Sequence, residues 1–512
     1  MDYFLSGWLL RCSQIVVDAS IWIAFGCFIS AIFRYMIGAE KTRSLFGNDS
    51  RYGLVIGWAV GMLLPVCSLG VIPVVRELHR VGVKPGTIIA FGLTAPLFNP
   101  LSILYGLSLP NPFAVLIFSA AAMLIVTGMG AIWGKVFGKQ MADSPLQDSE
   151  SPIPSTGLRR SIAVLQGASG ELIGWSAVFM AIGIIASGTI AALVPHGSLQ
   201  GETEPDKMFA PVFMAGYVAP IYSTPLLAMS QIGGMFQHGN SIGAAFSLLI
   251  LGAGVNVGVL VWFAIAFGFR KVLWFAGLLF TLTVVFAYAM DKPLYPEGVA
   301  PQGHTHAFDI YTHPYPATEG EYLNKAIAEI KQDYEDRGFS GSYFLVLLVV
   351  VGVGFNLVGR VWDLAGWYQQ KRETQSKLDI TLPSWLIGVV ACVGLVVLSV
   401  VGTYVYYPDS KTVLGDLSMI NAECVVAAKT GEPETVSKLA VYCDDLSRRL
   451  EVGTLLRTGG LSEFKRAKAK VYRDKLNLVR DNIAVGQTSN IDSEAMDLHR
   501  AFQQMRKAFR EE

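Results

Sequence analysis

Ten apolar runs dominate the sequence, each close to the roughly 20 residues that an α-helix needs to cross a bilayer core of about 30 Å. Only 16% of the 512 residues are charged, against about 25% in a typical soluble chain. We therefore predict an all-α polytopic membrane protein. The predicted membrane segments are Gln14–Ile37, Gly53–Arg76, Gly86–Leu109, Phe113–Phe137, Leu172–Pro195, Met208–Gln231, Ser241–Phe269, Val272–Met290, Ser342–Gly359 and Trp385–Tyr407.

The first apolar run lacks the features of a signal peptide. Its leader carries Asp2 and a lone Arg11, and the run is long and has no A-x-A exit, so we expect the mature chain to keep Met1. Basic and acidic residues balance at 40 each, which gives no overall basic field for nucleic acid. The expected partners are the lipid bilayer and a small solute, with a partner subunit or a homo-oligomer left open, in a bacterial inner membrane.

Three polar stretches separate the apolar parts. Lys139–Gly170, rich in Ser and Pro, is predicted to be a linker. Asp291–Gly341 is a long loop whose charged second part, Tyr322–Asp336, is predicted to be helical. The predicted organisation is membrane repeat 1 (1–138), linker (139–170), membrane repeat 2 (171–290), an extramembrane His/Pro-rich loop (291–341), two transmembrane helices (342–407) and an extramembrane helical domain (408–512).

An internal repeat supports the division into two halves. The sequence GMLLPVCS at Gly61–Ser68 returns about 155 positions later as GYVAPIYS at Gly216–Ser223. Each half has four apolar segments in the same order, and an even number per half predicts two parallel, pseudo-symmetric repeats. The other matched pairs are Asp18 with Glu171, Trp22 with Trp175, Gly86 with Gly243 and Asn99 with Asn256.

The second and third segments of each half contain helix breakers. Pro65 lies near the middle of its run, and Pro96 and Pro100 bracket Asn99. Proline removes a backbone donor, and unwound backbone at membrane depth is tolerated only where protein or a hydrated cavity satisfies it. Four broken or re-entrant segments near mid-depth are typical of a transporter's solute site. The alternative is that these prolines only kink packed helices.

The same residues resemble a known family. LPVCSLGVIP at Leu64–Pro73, a basic stretch from Arg76 to Gly86, Ala90-Phe91 and APLFNP at Ala95–Pro100 are similar to the signature of the predicted permeases of the ArsP/YraQ type. The resemblance covers about Asp18–Met290. It implies a permease fold and, for some members, efflux of trivalent organoarsenicals through membrane cysteines. Leu69 stands where that signature has its second cysteine, and Tyr222 stands opposite Cys67 in the second repeat.

The residues at the breaks form the predicted solute site. A mid-membrane thiol at Cys67 either holds a thiophilic solute or acts as a small buried hydrophobe, whereas Cys27 and Cys392 are interpreted as packing residues. The polar side chains either contact solute or join helices by hydrogen bonds. The predicted solute-binding residues are Pro65, Cys67, Ser68, Asn99, Pro220, Tyr222, Ser223 and Asn256, with Thr224 as a further polar neighbour.

Asp18 and Glu171 are the carboxylates that the repeat places at matching positions. They are candidates for coupling transport to protons. The alternative is that each carboxylate lies near the start of its helix and complements the helix macrodipole, with Trp22 and Trp175 in the interfacial zone.

The His-rich loop offers a candidate metal site. His304, His306, Asp309 and His313 lie within ten residues, and imidazole and carboxylate are ordinary zinc or copper ligands. Their spacing matches no closed structural zinc pattern, and solvation of a Pro-rich loop is the alternative. We expect no cofactor.

In the C-terminal domain, Cys424 and Cys443 are placed symmetrically about a turn between the helical runs Thr412–Lys429 and Thr435–Val452. They are interpreted either as a disulfide, which requires an oxidising compartment, or as two buried thiols.

The side of the membrane on which the basic residues lie depends on whether the broken segments cross the membrane or turn back. If these segments are re-entrant, Arg76, Arg80 and Lys84 lie on the same side as Lys41 and Arg43, and that side is predicted to be cytoplasmic. Both termini, the His-rich loop and the C-terminal domain would then lie outside.

A solute permease, acting in efflux, is the predicted function. No nucleotide-binding G-x-x-x-x-G-K-[ST] motif is present in the sequence. An intramembrane hydrolase using Ser68 or Cys67 would need a base, and no histidine lies in an apolar run at matching depth. The remaining alternative is a membrane scaffold or sensor that anchors the C-terminal domain.

Overall fold

The computed structural model describes residues 2–47, 52–98, 100–109, 111–142, 158–295, 308–317, 322–336, 341–359, 384–487 and 490–510. These residues form helices and connecting turns, and no strand occurs among them. The chain divides into two compact units, one made of Met1–Ser102 with Phe113–Val397 and the other of Ile103–Pro112 with Leu398–Glu512.

The helices of the first unit, in chain order, are α1 (Asp2–Ile32), α2 (Ala39–Leu45), α3 (Gly53–Leu63), α4 (Val71–Arg80), α5 (Pro85–Leu97), α6 (Pro100–Ser108, shared with the second unit), α7 (Pro112–Ala142), α8 (Leu158–Glu171), α9 (Trp175–Leu193), α10 (Ala210–Val218), α11 (Pro225–Gln237), α12 (Ile242–Ser247), α13 (Val257–Phe267), α14 (Phe269–Asp291), α15 (Tyr322–Asp336) and α16 (Gly341–Gly359). A π-helical turn, Phe33–Ile37, extends α1, and another, Leu248–Ala253, extends α12.

Five of the described helices are long and apolar enough to cross a membrane, and the number rises to seven if each of two bent helix pairs is one span. One bent pair joins Ile242–Ala253 to Val257–Phe267 at an angle of 57°. The all-α, polytopic membrane architecture predicted from the sequence is therefore confirmed. Helix α17 (Ser384–Tyr406) corresponds to the last predicted segment.

Helix α1 is longer than predicted and lies at the centre of the first unit. It begins at Asp2, twelve positions before the predicted start at Gln14, and packs against α4, α8, α9, α15 and α16. Its N-terminal part buries Leu10 against Tyr315 and Ala326. The amphipathic helix α15, whose predicted bounds are confirmed, therefore covers the polar start of α1.

Helices α3 and α5 run side by side in the same direction. Cβ atoms added at Gly53 and Gly57 would lie near Thr87, and one added at Gly61 would lie near Ala95. Residue numbers therefore increase in the same direction along both helices, so the two helices are parallel. Glycine at every fourth position lets the two backbones approach closely, as small residues commonly do between membrane helices.

Part of the predicted linker is helical. Helix α7 continues to Ala142, and α8 occupies Leu158–Glu171, which covers the last part of the predicted linker Lys139–Gly170 and ends one residue beyond it. Helix α8 packs against α1 and α16. The Ser- and Pro-rich composition of the stretch did not reveal this helix, whose apolar run Ile162–Leu165 is short.

The second unit contains a four-helix arrangement, α18 (Ser410–Thr430), α19 (Pro433–Thr458), α20 (Glu463–Ala484) and α21 (Ile491–Arg510). Each helix packs against the next, and the first packs against the last. Asp409 caps the start of α18, and Gly431 ends it in the left-handed conformation (φ 74°), which glycine adopts without strain. The core combines apolar side chains with a buried ion pair between Arg473 Nη1 and Glu451 Oε2, 2.6 Å apart.

Cys424 and Cys443 are neighbours in this core. Both are buried free thiols, and each hydrogen-bonds the other. That hydrogen bond raises the pKa of Cys443 and lowers the pKa of Cys424. The two helices that carry them are longer than the predicted runs but place the cysteines at similar heights, as the symmetric spacing predicted.

Candidate functional site

A non-helical turn, Leu64–Gly70, separates α3 from α4 and carries Cys67. Leu64 is extended (φ −94°, ψ 128°), which is the conformation that a following proline favours. Helix α4 then begins with the Val71 N–H donating to the Cys67 carbonyl at 2.8 Å. The Gly70 N–H donates to Cys67 Sγ at 3.3 Å. The sulfur therefore accepts a hydrogen bond at the first turn of α4, in a fully buried position.

Helix α1 contacts the backbone of this turn directly. A Cβ atom added at Gly26 would lie 1.8 Å from the Gly70 carbonyl oxygen, and one added at Gly70 would lie 2.3 Å from the Trp22 carbonyl oxygen. No side chain fits at either position, so this contact requires glycine on both sides. It holds the Cys67 turn against the middle of α1.

A second turn, Ala219–Thr224, separates α10 from α11. The Tyr222 N–H donates to Ser187 Oγ, and the Ser223 N–H donates to the Gly252 carbonyl, both at 2.9 Å. Thr224 Oγ1 caps α11 by accepting from the Leu227 N–H at 3.2 Å. The N–H groups of Tyr222 and Ser223 are thus satisfied by protein, which is the condition for unwound backbone at membrane depth.

Asn256 begins α13 after the π-helical turn Leu248–Ala253. Its backbone is extended, and its Oδ1 accepts from the Val259 N–H at 3.0 Å. π-helical turns often occur at functional sites. Its predicted counterpart in the first half, Asn99, lies outside the described residues.

Side chains from two of these breaks meet at Gly183 of α9, and the third break joins them through Cys67. A Cβ atom added at Gly183 would lie 2.8 Å from Leu69 Cδ2 and 2.9 Å from Asn256 Oδ1. The Tyr222 hydroxyl lies beside the Cys67 thiol, without a hydrogen bond of ordinary geometry. Residues predicted separately from the two halves, Cys67, Tyr222 and Asn256, therefore belong to one buried cluster, which we call the break cluster together with Ser68 and Leu69.

Three polar groups of the break cluster have no hydrogen-bond partner among the described residues: Ser68 Oγ, Asn256 Nδ2 and the Tyr222 hydroxyl. All three residues are buried. An unsatisfied buried donor or acceptor costs about 1–3 kcal/mol. These three groups therefore have unused hydrogen-bonding capacity inside the cluster. Pro65 and Pro220 lie in the turns themselves, where they end α3 and follow α10.

The macrodipole interpretation of Asp18 is wrong. Asp18 lies in the middle of α1 because that helix begins at Asp2, so the N-terminal dipole is about 24 Å away. The side chain is half-buried and interacts electrostatically with Tyr222 and Tyr311. Asp18 therefore lies beside the break cluster, and the buried Trp22 lies one turn further along the same helix.

Glu171 also departs from the macrodipole interpretation, because it ends α8 and does not begin a helix. Its carboxylate contacts Arg34 Nη2 at 3.1 Å and Arg76 Nη1 at 3.3 Å. It also accepts from Ser176 Oγ at 2.5 Å. Two arginines thus compensate a charge that the C-terminal end of a helix disfavours.

An ion-pair network around Glu77 was not identified from the sequence. Glu77 is completely buried and contacts Arg34 Nη2 at 2.7 Å and Arg80 Nη2 at 2.5 Å. Together with Glu171 and Arg76, these residues join the end of α1, helix α4 and the α8–α9 junction. Glu77 could have been noticed as an acid flanked by Arg76 and Arg80 in an apolar context. We call these five residues the ion-pair network.

Tyr311 is a further residue that the sequence did not single out. Its hydroxyl donates to Ser223 Oγ at 3.1 Å, and its ring is 2% exposed. It belongs to residues 308–316, which follow α14 and lie against α1, α9 and α10. We call residues 308–316 the Tyr311 segment.

The candidate metal ligands are only partly described. His304 and His306 lie outside the described residues. His313 accepts from the Tyr315 N–H through Nδ1 at 3.1 Å and donates from Nε2 to the Tyr3 carbonyl at 2.9 Å, so both of its ring nitrogens are engaged. The described part of the chain contains no group of three His, Cys, Asp or Glu side chains arranged to hold a metal.

The part of the chain that contains the break cluster matches a known protein family. Residues 9–292 match the family model described as predicted permease, of the ArsP type. UPF0718 protein YcgR from Bacillus subtilis (strain 168) is 25% identical over 283 residues, which are 54% of this chain and 92% of that protein. No solved structure matches the chain. Because the family model covers more than half of the sequence, the chain belongs to the ArsP-type predicted permeases, which are membrane transporters rather than enzymes.

Proposed function

We propose that this permease carries a small thiophilic solute, such as a trivalent metalloid or organometal species, through the break cluster. The observation that carries the proposal is the buried Cys67 thiol, which lies within reach of the Tyr222 hydroxyl and beside the unpartnered Ser68 Oγ. Sulfur ligands select soft ions. The phenol and the Asn256 amide would hydrogen-bond the oxygen atoms of the solute.

The two halves would act as repeats that move against each other. The parallel packing of α3 with α5 has a counterpart in α10 and α12, where Gly243 lies beside Pro211 and Gly252 beside Val218. This correspondence supports two repeats, each with a re-entrant hairpin, α3–α4 and α10–α11. Alternating access would then arise from rocking of one repeat against the other around the break cluster.

The proposed orientation follows the basic residues. Arg34, Arg76 and Arg80 meet in the ion-pair network, and Arg43 donates to the Val81 carbonyl at 2.9 Å at the end of α4. A concentration of arginines at one end supports a cytoplasmic location for that end. In a bacterial inner membrane, the start of α1 and the Tyr311 segment would face outward, and transport would be efflux.

Flux measurements on the purified full-length protein in liposomes test the proposal. With methylarsenite as the first probe, followed by arsenite and phenylarsine oxide, we expect flux that Cys67→Ser abolishes and Asn256→Leu reduces. Cys12→Ser is the matched control, because Cys12 is a thiol of α1 that is not a member of the break cluster and donates to the Ile184 carbonyl at 3.8 Å.

The result that would refute a thiophilic solute is equally direct. If none of the three probes moves in a Cys67-dependent way while Cys67→Ser stays folded, the thiol is a packing group. A protein that leaves the liposomes tight to every solute and binds a partner through its C-terminal helices would instead be a scaffold.

A further inference from the structure

We propose that Tyr311 is a gate of the solute site, which closes the break cluster from the side where α1 begins. This inference rests on the proposed function, because it assigns a gate to the same site. The family model ends at residue 292, so the Tyr311 segment is an addition to the part of the chain that matches the family. A tyrosine supplied from outside that part completes the site.

The position of the Tyr311 ring carries the proposal. Its hydroxyl donates to Ser223 Oγ at 3.1 Å, and Ser223 lies in the turn Ala219–Thr224 beside Tyr222. Tyr222 in turn reaches the Cys67 thiol. Asp18 interacts electrostatically with both tyrosines. Tyr311 therefore contacts Ser223, the chain neighbour of the residue whose side chain reaches the thiol. Its ring is as deeply buried as the break cluster itself.

Hydrogen bonds to the backbone hold the segment in place. Arg11 donates from Nε to the Thr312 carbonyl at 2.9 Å and from Nη2 to the Asp309 carbonyl at 2.5 Å. Tyr217 of α10 donates to the Tyr311 carbonyl at 2.5 Å. These anchors come from α1 and α10, which belong to different halves of the chain. Relative movement of the halves would break them together, and this would couple opening to transport.

A second set of contacts fixes the segment beyond Tyr311. The His313 N–H donates to the Val194 carbonyl at 2.8 Å at the end of α9, and the His313 ring stacks on Tyr3 with centroids 3.6 Å apart. A Cβ atom added at Gly7 would lie 2.4 Å from this ring. The segment therefore pivots on His313 while Tyr311 leaves the site.

The far end of the site is closed by different chemistry. The ion-pair network joins α1, α4 and the α8–α9 junction through Glu77 and Glu171. Cys67 and Asn256, which lie between the two ends, are completely buried. The structure thus has a closed contact at each end, a tyrosine held by hydrogen bonds at one and charged pairs at the other. Opening at the α1 start requires the Tyr311 segment to leave its Arg11 and Tyr217 anchors, and the ion-pair network can stay closed.

Accessibility of Cys67 tests the gate without knowledge of the solute. The full-length protein is treated with N-ethylmaleimide, and labelling of each cysteine is followed over time by peptide mass spectrometry. Tyr311→Ala should raise the labelling rate of Cys67 about tenfold or more, since the rate follows the population of the open state. Tyr311→Phe, which keeps the ring, should give a smaller increase. Tyr295→Ala is the control, because Tyr295 hydrogen-bonds the Gly239 carbonyl away from the break cluster.

A second variant protects the test against misfolding. Tyr217→Phe removes one hydroxyl that anchors the segment and leaves every ring in place, and it should also raise Cys67 labelling. Parallel labelling of Cys27 and Cys443, both buried, would reveal a protein that has merely unfolded. If Tyr311→Ala does not fold, the labelling rate of Cys67 in Tyr217→Phe decides whether Tyr311 is a gate.

The outcomes separate the gate from the proposed solute. If Tyr217→Phe and a folded Tyr311→Ala both label Cys67 at the wild-type rate, Tyr311 is not a gate, whatever the protein transports. If labelling rises as expected but none of the arsenical probes crosses the membrane, the gate stands and the thiophilic solute is wrong.

Discussion

Substitution of Gly26 by alanine is the sharpest test of how α1 holds the Cys67 turn. The added Cβ would lie 1.8 Å from the Gly70 carbonyl oxygen, whereas ordinary contact begins at 3.4 Å. The two backbones would have to separate by about 1.6 Å, and overpacking of this kind costs about 1–3 kcal/mol or more. The higher helix propensity of alanine offsets at most about 1 kcal/mol of this destabilisation. We therefore expect a net loss of stability.

The assay compares Gly26→Ala with Gly277→Ala. Gly277 also lies within a membrane helix, α14, but a Cβ atom added there meets nothing within 4 Å. The temperature of unfolding in detergent should fall for Gly26→Ala and stay level or rise for Gly277→Ala. Because the strain acts on Gly70, labelling of Cys67 by N-ethylmaleimide should also become faster. If Gly26→Ala unfolds at the wild-type temperature and Cys67 stays protected, α1 does not pack on the turn.

Three further predictions concern charged residues. Asp18→Asn should flatten the pH dependence of transport, because Asp18 is the carboxylate found beside the break cluster; an unchanged pH profile would remove it from coupling. Glu77→Gln should destabilise the protein by about 3 kcal/mol, because a completely buried acid that compensates two arginines is neutralised, and a wild-type unfolding temperature would contradict this. Glu451→Gln should cost the C-terminal helices about 3–5 kcal/mol by leaving Arg473 buried without its partner, and Glu451→Leu combined with Arg473→Met should recover much of that loss in denaturant unfolding.

Several features of the fold were predictable because their causes are local. Apolar runs of membrane length predict the membrane helices, and Pro65 and Pro220 lie at turns that do interrupt helices. The bounds of α15 were predicted correctly, because its charged residues repeat with a helical period. The prediction of α8 failed, since its helix depends on packing against α1 and α16.

The site was predictable only in part. The repeated motif identified Cys67, Tyr222 and Asn256, and these three side chains belong to one buried cluster. The motif could not identify Tyr311, because its contact with Ser223 joins residues 88 positions apart. It also misjudged the position of Asp18 within its helix, because α1 begins at Asp2, twelve residues before the apolar run. That early part of α1 packs against α15, more than 300 positions later in the chain.

The sequence by itself determined that this chain is a helical membrane permease with broken helices, because hydrophobic length, proline positions and family motifs are properties of short stretches. Tertiary structure decided which polar groups meet. It brought Asp18 beside the tyrosines, joined Glu77 and Glu171 through Arg34, and placed Tyr311 on Ser223. The physical reason is that a buried charge or hydroxyl is tolerated only beside a partner, and the partner is chosen by how distant helices pack.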